Sequence, residues 1–154
     1  MELNFKDPKV QKVQEVYKSL WSINKTTANL TKKNAEGFGL TLQQLSILNT
    51  LFSFPELTQQ ELVERLISSK STISVGIDKL VKRGLVERKS SEEDRREVKL
   101  KLTKKGEDVS KESSKNSISY KAMLLALEKM PEEDIQSLLR IQKDLLNHLK
   151  ESGF

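Results

Sequence analysis

Two adjacent arginines, Arg95 and Arg96, lie in the stretch EEDRREVKLKLTKKG at residues 92–106. Three acidic residues precede them, and charged residues then alternate with apolar ones. Arginine is favoured in a narrow groove of negative potential, and lysines along a ribbon suit a phosphate backbone. Residues 78–105 hold 11 Lys/Arg against 6 Asp/Glu, in a chain of 154 residues with a net charge of +5. This local basic stripe indicates a polyanionic partner, although a solvated basic surface has the same composition.

Side chains suited to other chemistry are scarce. His148 is the only histidine, and the sequence contains no cysteine. Neither an HExxH motif nor a glycine-rich phosphate loop is present. The acids Glu92, Glu93 and Asp94 fall on a predicted hairpin tip, which is a poor support for paired acid–base catalysis. We therefore expect no enzyme activity, no metal site, no cofactor and no thiol-based redox sensing.

No apolar run approaches the roughly 20 residues that a membrane-spanning helix requires. The N-terminus MELNFKDPKV does not resemble a secretory signal. A soluble cytoplasmic protein without a membrane partner is the expectation.

The centre of the chain is predicted to form three short helices. Thr41 with Gln44, and Thr58 with Glu61, have the spacing of capping boxes that open the first two. A third helix over residues 70–83 follows, and Gly84 suits its C-terminal end. Apolar residues at helical spacing define its inner face: Ile73, Ile77, Leu80 and Val81.

The apolar period then changes from 3.6 to 2, which predicts strands at residues 85–88 and 97–102. The polar residues between them contain no tight turn sequence, so we expect a long hairpin tip. Asp94 is placed to pair with an arginine of this tip and to fix its rotamer. Lysines on the ribbon are candidates for phosphate contacts: Lys89, Lys99 and Lys101.

The outer face of the third helix carries short side chains, so its backbone can approach base edges in a major groove. Ser71, Val75, Asp78 and Lys82 centre this face, with Thr72, Ser74 and Lys79 towards its flanks. Asp78 would lie awkwardly beside phosphates, and we expect it to pair with Lys79 or Lys82. The serines taken alone are more typical of a surface helix with a serine-rich cap than of a DNA-binding helix.

Long helices flank this centre. Residues 9–36 contain neither glycine nor proline and carry an apolar heptad seam. Pro131 suits the first turn of a C-terminal helix with a leucine-rich face. One further helix is predicted between Thr103 and Met130. The apolar stripes of the two end helices exceed what a small lobe can cover, which favours a two-fold dimer.

The segment LTQQELVERLISSKSTISVGIDKLVKRGLVERKSSEEDRREVKLKLTKKG, residues 57–106, resembles the MarR family of dimeric winged-helix transcription regulators. The resemblance implies a mainly α fold: a winged helix-turn-helix with a two-stranded β-wing, and N- and C-terminal dimerisation helices. It implies a DNA-binding region at 37–105 and a helical dimerisation region at 1–36 and 106–154. The implied function is a homodimeric transcriptional regulator, with repression as the expected sign, on a pseudo-palindromic DNA operator.

Site residues follow from the same resemblance. Arg96 matches the minor-groove arginine of the wing, with Asp94 as its organiser and Arg95 beside it. The recognition-helix positions are Lys70, Ser71, Thr72, Ser74 and Val75. Together with Lys79 from the helix and Lys89 and Lys99 from the ribbon, they form the predicted DNA-binding set.

Many members of the family release DNA on binding a small aromatic or anionic effector. Aromatic residues could line such a pocket or serve as ordinary core or interface residues: Tyr17, Trp21, Phe38 and Phe52. Likewise, Ser113, Asn116 and Ser117 would face a cavity or water. The competing functional interpretation is a winged helix that binds protein or RNA without operator specificity. Duplex RNA suits it less, because its major groove is too narrow for a helix.

Overall fold

The computed structural model describes residues 2–66, 68–90 and 98–153. The described chain is mainly helical with a small antiparallel sheet, which confirms the predicted fold class. Its elements are α1 (Pro8–Gly37), α2 (Leu42–Ser53), β1 (Leu57–Thr58), α3 (Gln59–Arg65), α4 (Lys70–Lys82), β2 (Val86–Ser90), β3 (Val98–Leu102), α5 (Lys104–Lys115), α6 (Ile118–Leu127) and α7 (Glu132–Glu151).

Local capping signals position the central helices as predicted. The backbone N–H of Gln44 donates to Oγ1 of Thr41 at 3.2 Å, and the Gln44 side chain accepts from the Thr41 backbone at 2.9 Å. Thr58 and Glu61 form the second capping box, with distances of 3.2 and 2.7 Å. These reciprocal bonds satisfy N–H groups that a helix start otherwise leaves unpaired.

Helix α4 lies with its predicted inner face in the core. Ile73, Ile77 and Leu80 are fully buried. Gly76 allows a close approach to α2, because a β-carbon there would lie 2.7 Å from Cδ1 of Ile47. Gly84 follows the helix with φ +66°, a conformation that glycine adopts without strain.

The sheet has three strands in the order β1-β3-β2, whereas the sequence predicted only the β2–β3 hairpin. In the hairpin Val86 lies opposite Leu102, and Ser90 opposite Val98. The additional strand pairs Leu57 with Leu100. Two residues are too few to show an alternating pattern, and so β1 was not predicted.

The single helix expected between Thr103 and Met130 is two helices, α5 and α6. Asn116 ends α5, and its backbone N–H still donates to the carbonyl of Glu112 at 3.0 Å. Pro131 is the N-cap residue of α7 rather than its first helical residue.

The chain divides into two compact units, Met1–Ser119 and Tyr120–Phe154. In the first unit, one apolar core joins α2, α3, α4 and the sheet, with Leu48, Leu62 and Leu100 among its members. In the second unit, the apolar residues of α7 are exposed or half-buried. The core therefore anchors α4 and the hairpin, the two elements that carry the predicted site.

Candidate nucleic-acid interface

The predicted recognition-helix residues lie at the solvent surface of α4. Val75 is 53% exposed, and Ser74 is half-buried. The remaining four are exposed: Lys70, Ser71, Thr72 and Lys79. A surface of short side chains on a helix whose opposite face is held in the core is suited to a DNA groove.

Hydroxyl groups cluster at the start of α4. Oγ of Ser69 caps the helix by accepting from the backbone N–H of Thr72 at 3.2 Å. The same oxygen lies 2.6 Å from Oγ1 of Thr72 and 3.0 Å from Oγ of Ser71. These contacts orient the hydroxyl groups of two predicted DNA contacts, Ser71 and Thr72.

The hairpin brings its lysines together. Lys89 lies opposite Lys99 across the β2–β3 ladder, so both side chains extend from the same face of the sheet. Lys89 also forms an ion pair with Glu87 at 3.3 Å, and Lys101 forms one with Glu56 at 3.5 Å. The tip residues Asp94, Arg95 and Arg96 lie outside the described residues, and their roles remain predictions.

The partner predicted for Asp78 is wrong. Its carboxylate accepts from Nη2 of Arg88 on β2 at 2.6 Å, rather than from Lys79 or Lys82. Sequence reasoning missed Arg88 because the contact joins two elements whose relative position the local pattern does not define.

A second arginine, Arg83, links the end of α4 to the turn after α1. Its guanidinium donates to the carbonyl of Gly39 at 2.6 Å and to that of Phe38 at 3.1 Å. The Arg83 carbonyl in turn accepts from Nζ of Lys105 at 3.3 Å. These bonds link the C-terminal end of α4 to the turn after α1 and to the start of α5.

A buried polar network also joins α1, α2 and α5. The side-chain oxygen of Asn49 accepts from Ser110 at 2.8 Å, and the amide of Asn34 donates to the Ser113 carbonyl at 3.0 Å. Ser113, which we expected to face a cavity or water, is only 1% exposed. Ser117 is also buried, whereas Asn116 is exposed.

The four aromatic candidates for an effector pocket occupy different settings. Tyr17 and Trp21 are 70% and 61% exposed on α1, and Nζ of Lys25 lies 4.8 Å from the Trp21 ring. Phe38 packs against the core, and Phe52 is exposed.

A cleft of about 500 Å³ lies between the end of α1, the start of α2 and α4, and none of the four rings lines it. Its walls include Lys32, Glu36, Thr72, Val75 and Lys79.

The pKa of Glu61 in the capping box of α3 is affected both by Thr58 and by a lysine of the hairpin. The backbone N–H and hydroxyl of Thr58 lower the pKa of Glu61 below its ordinary value of 4.5, and the positive charge of Lys99 lowers it further.

Among the described residues, no helix is both long and apolar enough to cross a membrane. The same part of the chain has no group of three or more His, Asp or Glu side chains placed to hold a metal ion.

Comparisons with known proteins agree with this arrangement. The model of the MarR family matches residues 38–97. The HTH-type transcriptional repressor YetL of Bacillus subtilis is 32% identical over 94 residues, or 60% of this chain, and the match spans only 56% of that relative's length.

Two solved structures extend the likeness to most of the chain. The multiple antibiotic-resistance repressor MarR of Listeria monocytogenes 4b F2365 is 36% identical, with 93% of this chain and 99% of that chain covered and a TM-score of 0.64. Streptococcus pneumoniae FabT, solved in complex with DNA, shares the fold at 24% identity, with coverages of 90% and 98% and a TM-score of 0.75. The predicted family is thereby confirmed, and the chain belongs to the MarR family.

Proposed function

We propose that this protein is a sequence-specific DNA-binding transcriptional regulator that acts as a homodimer on a pseudo-palindromic duplex and represses transcription. The observation that carries the proposal is the exposed outer face of α4, which lies beside a basic hairpin while its inner face is anchored in the core. This arrangement presents a groove-reading helix and a wing on one rigid lobe.

In this proposal α4 supplies sequence choice. The hydroxyls of Ser71 and Thr72 and the exposed methyls of Val75 are suited to base edges and thymine methyl groups. Lys70 and Lys79 supply charge beside them. The free N–H groups at the helix start also suit a phosphate oxygen.

The wing supplies affinity in the same scheme. Lys89 and Lys99 contact phosphates, and Arg96, organised by Asp94 with Arg95 beside it, enters the adjacent minor groove. The Arg96→Ala variant therefore loses one good contact, which typically costs about 1–3 kcal/mol of binding free energy.

Dimerisation through the region 1–36 and 106–154 places one DNA-binding region, 37–105, on each half-site. Support comes from α1, whose apolar residues Val13, Val16 and Leu20 are exposed in the single chain. A contiguous stripe of exposed apolar residues is typical of a protein–protein interface.

Two relatives support repression as the sign of regulation and DNA as the binding partner. YetL is a transcriptional repressor, and FabT has been solved with DNA. Relatives of this kind are regulators rather than enzymes, so we propose no catalytic activity here. We propose a cytoplasmic location, because a DNA-binding regulator acts where chromosomal DNA is accessible.

Release by a small aromatic or anionic effector forms part of the proposal. The cleft beside α4 supports it, because a ligand there would contact Thr72, Val75 and Lys79 and so compete with DNA. Any such ligand acts only through its differential affinity for free and DNA-bound protein.

Selection of bound duplexes from a randomised pool tests the proposal, with and without a panel of small aromatic acids. We expect one enriched pseudo-palindrome of roughly 16–20 base pairs, because two half-sites lie about one helical turn apart. A protein- or RNA-binding winged helix would enrich no duplex. If the protein retains the same amount of DNA in the presence and absence of each acid, release by an effector is wrong, while the proposed DNA binding stands.

A further inference from the structure

The surface between α4 and β2 holds an ion pair to which the proposed function assigns no role. Nη2 of Arg88 donates to Oδ1 of Asp78 at 2.6 Å. The two side chains remain 40% and 54% exposed, so both are accessible to a partner. The pair joins the recognition helix to the wing, where a DNA backbone would pass between the two grooves.

The register of the hairpin explains why Arg88 reaches α4. Arg88 lies opposite Leu100, and its side chain shares a face of the sheet with Val86, two residues earlier. Val86 and Leu100 are buried in the core, and β2 packs against α4. Arg88 continues this row beyond the edge of the core, where its guanidinium meets the helix.

Charge gives the pair a consequence for DNA binding. An uncompensated carboxylate on the exposed face of α4 would repel the phosphates that this face approaches. Among the described residues, Asp78 is ion-paired with Arg88 and with neither Lys79 nor Lys82. Arg88 therefore neutralises the one acidic side chain of the recognition helix.

A guanidinium can bind two acceptors at once. It carries five N–H donors in a planar fork, and the bond to Asp78 uses one nitrogen. The remaining donors suit a phosphate oxygen, and a carboxylate that fixes the rotamer reduces the entropy lost when phosphate binds. We propose that Arg88 is a phosphate-binding residue at the junction of helix and wing, and that Asp78 is its positioning residue. The proposal rests on the proposed function.

The test is a binding cycle with wild type, Arg88→Gln, Asp78→Asn and the double variant. Each protein is titrated with the duplex that wild type selects from a random pool, and with a random duplex, over a range of salt concentrations. Arg88→Gln should weaken binding to both duplexes roughly tenfold and lower the salt slope by about 0.9, the value expected for one lost phosphate contact. Thermal melting should show folded variants, because exposed ion pairs contribute little to stability.

Asp78→Asn gives the decisive comparison. Removing a negative charge from a DNA-facing helix should tighten binding if charge alone matters, whereas loss of a positioning residue should weaken binding by about threefold or more. In the Arg88→Gln background the same change should tighten binding, because the carboxylate then only repels phosphate.

Asp108→Asn is the matched control, because it also removes an exposed, ion-paired carboxylate, here one paired with Lys104. This variant should not weaken binding. Tighter or unchanged binding by Asp78→Asn with Arg88 present would overturn the positioning role. An unchanged salt slope in Arg88→Gln would overturn the phosphate contact. Failure of wild type to select any duplex would instead overturn the proposed function on which both roles rest.

Discussion

Gly106, near the start of α5, lies close to the backbone of Leu85, the residue just before β2. A β-carbon at this position would overlap the carbonyl oxygen of Leu85. That carbonyl also accepts from the backbone N–H of Thr103 at 3.1 Å, and Oγ1 of Thr103 donates to the Gly84 carbonyl at 2.6 Å. Because glycine at position 106 has no side chain, the start of α5 can pack against the segment that joins α4 to β2.

We expect Gly106→Ala to lower the free energy of unfolding by about 1–3 kcal/mol, the usual cost of overpacking, because neither the Leu85 backbone nor α5 can shift freely. Urea unfolding measures the change. The matched control is Gly37→Ala in α1, where a β-carbon would have open space. That variant should be neutral or slightly more stable, since alanine favours helix over glycine. Equal stabilities for the two variants would contradict the close contact.

The lowered pKa of Glu61 predicts that the folding stability of the protein decreases as the pH falls into the acid range. Its folded-state pKa is lowered below 4.5, first by the Thr58 backbone N–H, so its ionised form is stabilised by folding. That stabilisation is present above pH 4.5 and is lost as the pH falls through the folded pKa. Glu61→Gln keeps a capping oxygen without the charge, so the stability gap between wild type and variant should close as the pH falls below 4.5.

Urea midpoints at neutral and acidic pH measure that gap. Glu64→Gln, on the same helix but outside the capping box, provides the control for the loss of one carboxylate. A gap that stays constant across the acid range would show that the Glu61 charge does not stabilise the box.

At the scale of elements, predictability follows how local each signal is. Capping boxes and the apolar stripe of α4 involve residues three or four apart, so the sequence predicted the starts and faces of those helices correctly. Strand β1 is two residues long and owes its existence to β3, a partner far along the chain. No glycine or proline lies at the break between α5 and α6, so the sequence did not predict this break.

The site shows the same division. The exposed residues of α4 were predictable from helical periodicity, but the Asp78–Arg88 and Arg83 contacts were not. Both join residues on different elements, and only the packed core brings those elements together. The sequence offered two nearby lysines as partners for Asp78, whereas Arg88 on β2 forms the ion pair.

The half-buried Asn49 tests how the helical elements are held together. Asn49→Ala leaves the Ser110 hydroxyl, which is fully buried, without its acceptor. We expect a loss of about 1–3 kcal/mol in unfolding free energy, the cost of an unsatisfied buried polar group. Chemical denaturation is the measurement. Asn147→Ala, at an exposed position within α7, serves as control and should not lower the stability.

A double variant, Asn49→Ala with Ser110→Ala, should lose less than the sum of the single losses, because it removes both partners at once. Strict additivity would mean that the two side chains are not coupled.

At the scale of the whole molecule, the exposed apolar stripe of α1 supports the proposed dimer. The seam residues Val13, Val16, Leu20 and Ile23 are exposed in the isolated chain. Their heptad spacing matches helix pairing and would bury them against a second copy. Two recognition helices can then face one side of a duplex.

Leu20→Glu should therefore shift the protein from dimer to monomer at micromolar concentration, as measured by sedimentation equilibrium. Lys18→Glu places an acid on the side of the helix away from the seam and should leave the dimer intact. Wild type that sediments as a monomer, or a Leu20→Glu variant that still dimerises fully, would contradict the role of this seam. The DNA affinity of the monomeric variant should fall steeply, because each copy supplies only one half-site.

We propose that two copies of one lobe present helix and wing to neighbouring grooves of a single duplex. A hydroxyl-radical footprint of the protein on the duplex it selects measures this most directly. We predict two protected windows related by a dyad, with centres about one turn or roughly 34 Å apart. Each window should continue into the flanking minor groove, and that flank should lose protection in Arg96→Ala. A single unsymmetrical window, or protection without any minor-groove flank, would contradict the account.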